Sequence, residues 1–139
     1  MTVHDDERAI VRQLHHLAWI LDHRAWDRVA EVIDPDAVAY GQHGRQAVID
    51  DSFRRHLGGC GPSQHLLGNA VVDVDGDRAV SRCYVRVYHQ GAGERADRAW
   101  ECMGEYHDGW ARTADGWRIV TREFEVRVAV GDFDVLQPG

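Results

Sequence analysis

Two tripeptides, Asp75-Gly76-Asp77 and Ala114-Asp115-Gly116, each part a pair of long strand-like segments. An Asp-Gly step between alternating apolar runs is a strong hairpin signal, because glycine reaches the positive φ that a tight turn needs. Residues 64–74 and 78–90 flank the first turn, and residues 97–113 and 117–130 flank the second. The C-terminal part of the chain is thereby committed to a four-strand antiparallel meander. Gly91-Ala92-Gly93-Glu94-Arg95 links the two hairpins and reads as a mobile connection.

The N-terminal part reads as helical. Ile10, Val11, Leu14, Leu17, Ala18 and Leu21 recur at three- and four-residue steps, which predicts an amphipathic helix over residues 5–23. Residues 26–33 read as a second, short helix stopped by Asp34-Pro35-Asp36, since the residue before proline avoids helical angles. Ala37 to Tyr40 reads as a short strand and Gly41 to Gly44 as a turn. Gly44 to Leu57 reads as a third helix with Val48, Ile49, Phe53 and Leu57 as its apolar stripe. Helices followed by a meander define an α+β class. The expected architecture is three N-terminal helices packed in a curved antiparallel sheet, a cone-shaped α+β barrel whose open end is a pocket. At 139 residues one domain spanning 1–139 is expected.

Bulk composition removes several function classes. A net charge of −7 argues against a nucleic-acid footprint and against attraction to anionic membranes. No apolar run approaches a membrane span, and the acidic N-terminus is unlike a signal peptide. Every basic residue is arginine, which excludes Schiff-base and lysine-base chemistry. Cys60, Cys83 and Cys102 leave one thiol over in any disulfide scheme, so a reducing, cytoplasmic setting is expected. Histidines are abundant, but no H-E-x-x-H or finger-like spacing occurs, and no metal site is expected.

Three residues suggest proton transfer. Asp22 follows Ala18 by four and Val11 by eleven, which puts it on the face that carries Leu14 and Leu21. A carboxylate there points to water or is buried against the sheet. If buried it needs a partner, and a histidine would be held by it in one tautomer. His65 alternates with Leu67, Asn69 and Val71, and His89 with Cys83, Val85 and Val87. Both faces are largely apolar, so both imidazoles are expected to point inward. Tyr40 is a candidate hydrogen-bond donor to a substrate carbonyl, and Asn69 a candidate for orienting a substrate oxygen. His15 shares the helix face of Asp22. On strand 97–113, Met103, Glu105 and His107 share one face while Gly104 and Tyr106 take the other, and alternation alone does not say which looks inward.

Several segments together carry a resemblance: Leu21-Asp22, Trp26-Asp27-Arg28-Val29, Val32-Ile33-Asp34-Pro35, Gln64-His65-Leu66-Leu67-Gly68, Arg86-Val87-Tyr88-His89-Gln90, Asp115-Gly116-Trp117-Arg118-Ile119 and Val130-Gly131-Asp132-Phe133-Asp134. In their order and spacing the chain resembles the SnoaL-like branch of the nuclear transport factor 2-like superfamily, of the scytalone dehydratase and hexachlorocyclohexane dehydrochlorinase type. The resemblance implies a deep apolar pocket, no cofactor, and elimination, isomerisation or polyketide cyclase-type ring closure, the chemistry of secondary metabolism. It implies Asp22, His65, His89 and Tyr40 as catalytic residues. Asn69, Val85, Met103, Glu105 and His107 are the expected substrate contacts. The expected ligand is a hydrophobic, carbonyl-bearing ring compound. The resemblance also implies a homotrimer or homodimer; an uncovered sheet face is the expected interface, on which Arg82, Arg86, Arg122 and Arg127 could pair with Glu101, Glu123 or Glu125. Leu21 departs from the pattern, standing where the dehydratases carry a tyrosine. A non-catalytic binding protein would leave Asp22 and His65 apart. An interaction domain would fill the cone with Trp19, Trp100, Trp110 or Trp117.

Overall fold

The computed structural model describes residues 2–139. Helix α1 (Val3–Asp22) starts two residues earlier than periodicity predicts, because Thr2 caps it. The Thr2 hydroxyl accepts from the Asp5 N–H, and the Asp5 carboxylate accepts from the Thr2 N–H, which satisfies two free donors of the first turn. Ile10, Leu14, Leu17, Ile20 and Leu21 form its buried face. A 3₁₀ helix follows at Trp26–Glu31. The third helical segment is α2 (Arg45–Val48), a π-helical stretch (Ile49–Arg54) and α3 (Arg55–Leu57).

Strands β3 (Ser63–Asp75), β4 (Arg78–Gln90), β5 (Ala99–Thr113) and β6 (Gly116–Gly131) form the expected meander. Two more strands join the meander at β6: β1 (Ile33–Ala39), which takes in most of the expected short strand Ala37 to Tyr40, and β2 (Gln42–His43), so that the sheet has six strands in the order β2-β1-β6-β5-β4-β3. Strand β1 runs parallel to β6 and carries the two-residue β2 at its edge. The turn between them is Tyr40-Gly41, with φ of 54° and 75°. Positive φ at both central residues is the geometry that matches strand twist in a two-residue hairpin. The turn therefore begins one residue before the predicted Gly41 to Gly44.

Bulges bend the sheet around α1 without closing it. Trp110 and Trp117 are buried within the core, and Trp117 donates to Asp6, which also takes two bonds from Arg112 at 2.7 and 2.9 Å. Two bulges also change which residues face inward. On β3 the register with β4 shifts between Gly68 and Val71, with Asn69 at φ 55°. His65 and Leu67 face inward before the bulge, Val72 and Val74 after it, and Asn69 is exposed. On β6 a shift near Val120 turns Arg122 into the core. Arg122 is therefore no surface partner for a second subunit: it forms a buried pair with Asp108 at 2.7 and 2.9 Å. Arg86 pairs with Glu101, and Arg127 with Glu105, on the outer face of the same chain. Among the described residues no helix is long and apolar enough to cross a membrane.

Candidate active site

The sheet and the third helical segment enclose a cavity of about 420 Å³. Its wall is mostly apolar, with Leu21, Val87, Cys102, Phe124, Val126 and Leu136 among the lining residues. The tryptophans do not plug it. Trp110 and Trp117 belong to the core, Trp19 stacks on His23 at the surface, and Trp100 is part of the wall.

Asp22 ends α1 and turns inward. Its Oδ1 lies 2.6 Å from His65 Nδ1, and its Oδ2 accepts the His65 backbone N–H at 2.9 Å. Ser63 Oγ donates to the same Oδ1 at 2.9 Å. Arg24 donates to Ser63 Oγ and to the backbone oxygens of Leu21, Leu57 and Gly61. It takes a left-handed φ of 54° to end α1. An arginine only donates, so it occupies an acceptor position of the Ser63 hydroxyl and leaves that hydroxyl's proton for Asp22. Burial raises the Asp22 carboxyl, but the His65 and Ser63 bonds outweigh it and hold the group below the ordinary carboxylate value. The carboxylate thus stays charged. It fixes the proton of His65 on Nδ1, which leaves Nε2 as a bare base in the cavity wall.

His89 is buried, and its Nδ1 lies 2.9 Å from the Trp100 carbonyl oxygen. The carbonyl accepts, so this Nδ1 also carries the proton and Nε2 is bare. Burial pushes the imidazole down to about 4, against the opposing pull of that carbonyl. His89 is therefore a neutral acceptor and not a proton donor near neutrality. The two imidazoles meet edge to face with ring centres 6.3 Å apart.

Tyr40 lines the cavity, and its oxygen accepts from Arg122 Nη1 at 3.3 Å. Tyr40 also shares a hydrogen bond with the Tyr106 hydroxyl, so its own proton can go to a ligand when Tyr106 is the donor of that pair. A bulky side chain at left-handed φ is an outlier of the kind that collects at functional sites. Burial, reinforced by the adjacent Tyr40, raises the Tyr106 hydroxyl well above 10, so that group stays protonated.

The structure thus brings His65, His89 and Tyr40 to one cavity, with Asp22 bonded to His65 behind its wall. It does not bring the expected substrate contacts there. The even-numbered residues of β5 face inward, including Cys102, Tyr106 and Asp108, so Met103, Glu105 and His107 face out. Val85 is a core residue packed beneath the sheet surface, and Asn69 is carried out by the β3 bulge. His15 is exposed on α1. Glu105, His107 and Glu125 form the one cluster, among the described residues, able to hold a cation. It lies on the outer face, where Arg127 already pairs with Glu105. Ser63, Arg24 and His56 were not anticipated. Ser63 was readable as the residue two before His65 on one strand face, and His56 as seven after Ile49 on the apolar helical stripe.

An open six-strand sheet around helices, with an acid–imidazole pair on the cavity wall, defines the class of cone-shaped α+β proteins. The chain belongs to the SnoaL-like domain family, whose model matches residues 3–123. It is 37% identical over 107 residues to an uncharacterized protein of Mycobacterium tuberculosis (strain H37Rv), covering 73% of this chain and 72% of that one. Solved structures share the fold. A Novosphingobium aromaticivorans protein assigned, without confirmation, as a scytalone dehydratase aligns with a TM-score of 0.78 at 21% identity, over 88% of this chain and 85% of that one. A hexachlorocyclohexane dehydrochlorinase (LinA Type2) aligns with a TM-score of 0.73 at 14% identity, over 89% and 86%.

Proposed function

We propose that this protein is a cofactor-independent lyase or isomerase acting on a hydrophobic, carbonyl-bearing ring compound. The observation that supports this reading best is the 2.6 Å contact of Asp22 with His65 at the wall of an apolar cavity. Both solved relatives named above carry names of elimination enzymes, of water and of hydrogen chloride. In the proposed reaction His65 Nε2 removes a proton from the carbon beside the carbonyl. The C–H electrons pass to the carbonyl oxygen, and the Tyr40 hydroxyl donates to the enolate that forms. Asp22 stabilises the imidazolium. His65 then returns its proton to a leaving hydroxyl, which departs as water, or to another ring carbon. His89, neutral, accepts a hydrogen bond from the substrate.

A base so placed is worth on the order of 10²–10⁴-fold in rate. Ring closure, by attack of the same enolate on a second carbonyl, needs no further group. A binding protein without chemistry is the second reading, and the Asp22–His65 contact speaks against it. The whole chain is read as one domain, because Val135 near its end is as fully buried as Ile10 near its start. Exposed Leu66, Tyr84, Val128 and Val130 on the outer sheet face suit a homodimer or homotrimer.

The test is solvent-deuterium exchange at the carbon beside the carbonyl of 2-tetralone, followed by NMR, with binding of the ketone checked by tryptophan fluorescence. The wild type should accelerate exchange, and His65→Ala should lose at least about 100-fold. A ketone that binds but does not exchange, or an unimpaired His65→Ala, overturns the proposal.

A further inference from the structure

The helical wall supplies a third imidazole that the proton-transfer scheme does not use. His56 Nδ1 lies 2.7 Å from the backbone oxygen of Ser52, four residues earlier. That oxygen only accepts, so Nδ1 carries the proton and Nε2 is bare. His56 lines the same cavity as His65 and His89. The three rings follow one rule. Each is anchored through Nδ1 to an oxygen, of Ser52, Asp22 and Trp100 respectively. Each therefore keeps a bare Nε2, with no hydrogen bond given to it by the described residues.

The local backbone explains how His56 reaches this place. It follows the π-helical stretch Ile49–Arg54, whose wider turn carries Ser52 and Phe53 on the cavity side. His56 then packs edge-on against Phe133 of the C-terminal 3₁₀ turn, with ring centres 6.5 Å apart. It belongs to a different wall from the acid–imidazole pair, and neither a hydrogen bond nor a ring contact joins it to His65 or His89.

A bare imidazole nitrogen is satisfied only by a donor. A ketone, an ether or a halogen leaves it unpaired. We propose that His56 is a specificity-determining residue that accepts a hydrogen bond from a hydroxyl of the ring ligand. The ligand is then a ring compound with hydroxyls at two separated positions, one on His56 and one at the His65–His89 end. The inference rests on the reading above in placing the ligand in this cavity, but it requires no catalysis.

The test is binding of 2,7-dihydroxynaphthalene and of its dimethyl ether, read by tryptophan fluorescence because Trp100 lines the cavity. The diol should bind the wild type about a hundredfold more tightly than the ether, roughly tenfold for each of its two hydroxyls. His56→Leu should lose about tenfold of that preference and keep the share owed to the His65–His89 end, and His56→Gln, which keeps an acceptor, should recover part of the loss. Unchanged melting of both variants shows that the fold is kept. Equal binding of diol and ether to the wild type, or a His56→Leu variant whose preference is undiminished, overturns the inference. Because this is an equilibrium without carbon–hydrogen cleavage, it fails or succeeds independently of the exchange experiment.

Discussion

The Oδ1 of Asp22 lies 2.6 Å from the Nδ1 of His65, across 43 residues of sequence, and the same carboxylate also takes the His65 backbone N–H. The acid therefore grips both the ring and the strand that carries it. Asp22→Asn keeps the shape but offers an amide where a carboxylate stabilised the imidazolium. Exchange activity should fall at least about 100-fold while the fold survives. Ser63→Ala should cost less, about tenfold, since one hydrogen bond to the carboxylate is lost and two remain. Exchange rates and thermal melting of both variants check this.

His89 gives the protein an acid-side weakness. Its folded-state value is about 4 against 6.5 for a free imidazole, because burial disfavours the charged form. The unfolded chain takes up a proton near pH 6.5 that the native state refuses until about pH 4. The stability associated with a neutral His89 is thus complete above pH 6.5 and is lost as pH falls toward 4, by on the order of 3 kcal/mol. Urea unfolding of the wild type and of His89→Gln at pH 7 and pH 4.5 measures it. The variant should lose clearly less stability across that interval.

Arg122 serves the core and the site at once. It pairs with Asp108, lies 3.7 Å over the Tyr106 ring and donates to Tyr40. Arg122→Met leaves Asp108 buried without its partner and should cost about 3–5 kcal/mol. Chemical denaturation gives that number. Tyr40→Phe should leave stability nearly unchanged but slow exchange about 10²-fold, if its proton meets the enolate.

Gly104 tests the geometry of the curved sheet. A Cβ there would stand 2.0 Å from the Glu125 carbonyl oxygen on β6. Backbone cannot yield cheaply, so Gly104→Ala should destabilise by about 1–3 kcal/mol or more, read by urea titration.

The four long strands were legible within a residue or two because Asp-Gly turns and strict alternation agree, as on β4, where every second residue is buried. His65 and His89 were legible for the same reason. Alternation fails at a bulge, since one extra residue reverses every side chain beyond it. Asn69 and Arg122 were misplaced by that mechanism. Glu105 and His107 were misplaced for another reason: both faces of β5 mix polar and apolar residues, and only the tertiary packing of Cys102, Tyr106 and Trp110 into the core chooses. The pairing of β1 with β6 joins segments far apart in sequence, which no local pattern encodes. His56 stood on a readable apolar stripe, but a histidine on such a stripe reads first as core.

The central claim is that Asp22 holds His65 with its proton on Nδ1 and a bare Nε2 turned to the cavity. Nitrogen-15 NMR of histidine-labelled protein at neutral pH reads this directly. The account predicts that the neutral form of the His65 ring carries its proton on Nδ1 and not on Nε2, and that Asp22→Asn abolishes this preference. A neutral His65 ring whose proton sits on Nε2, with Nδ1 bare beside Asp22, would contradict it.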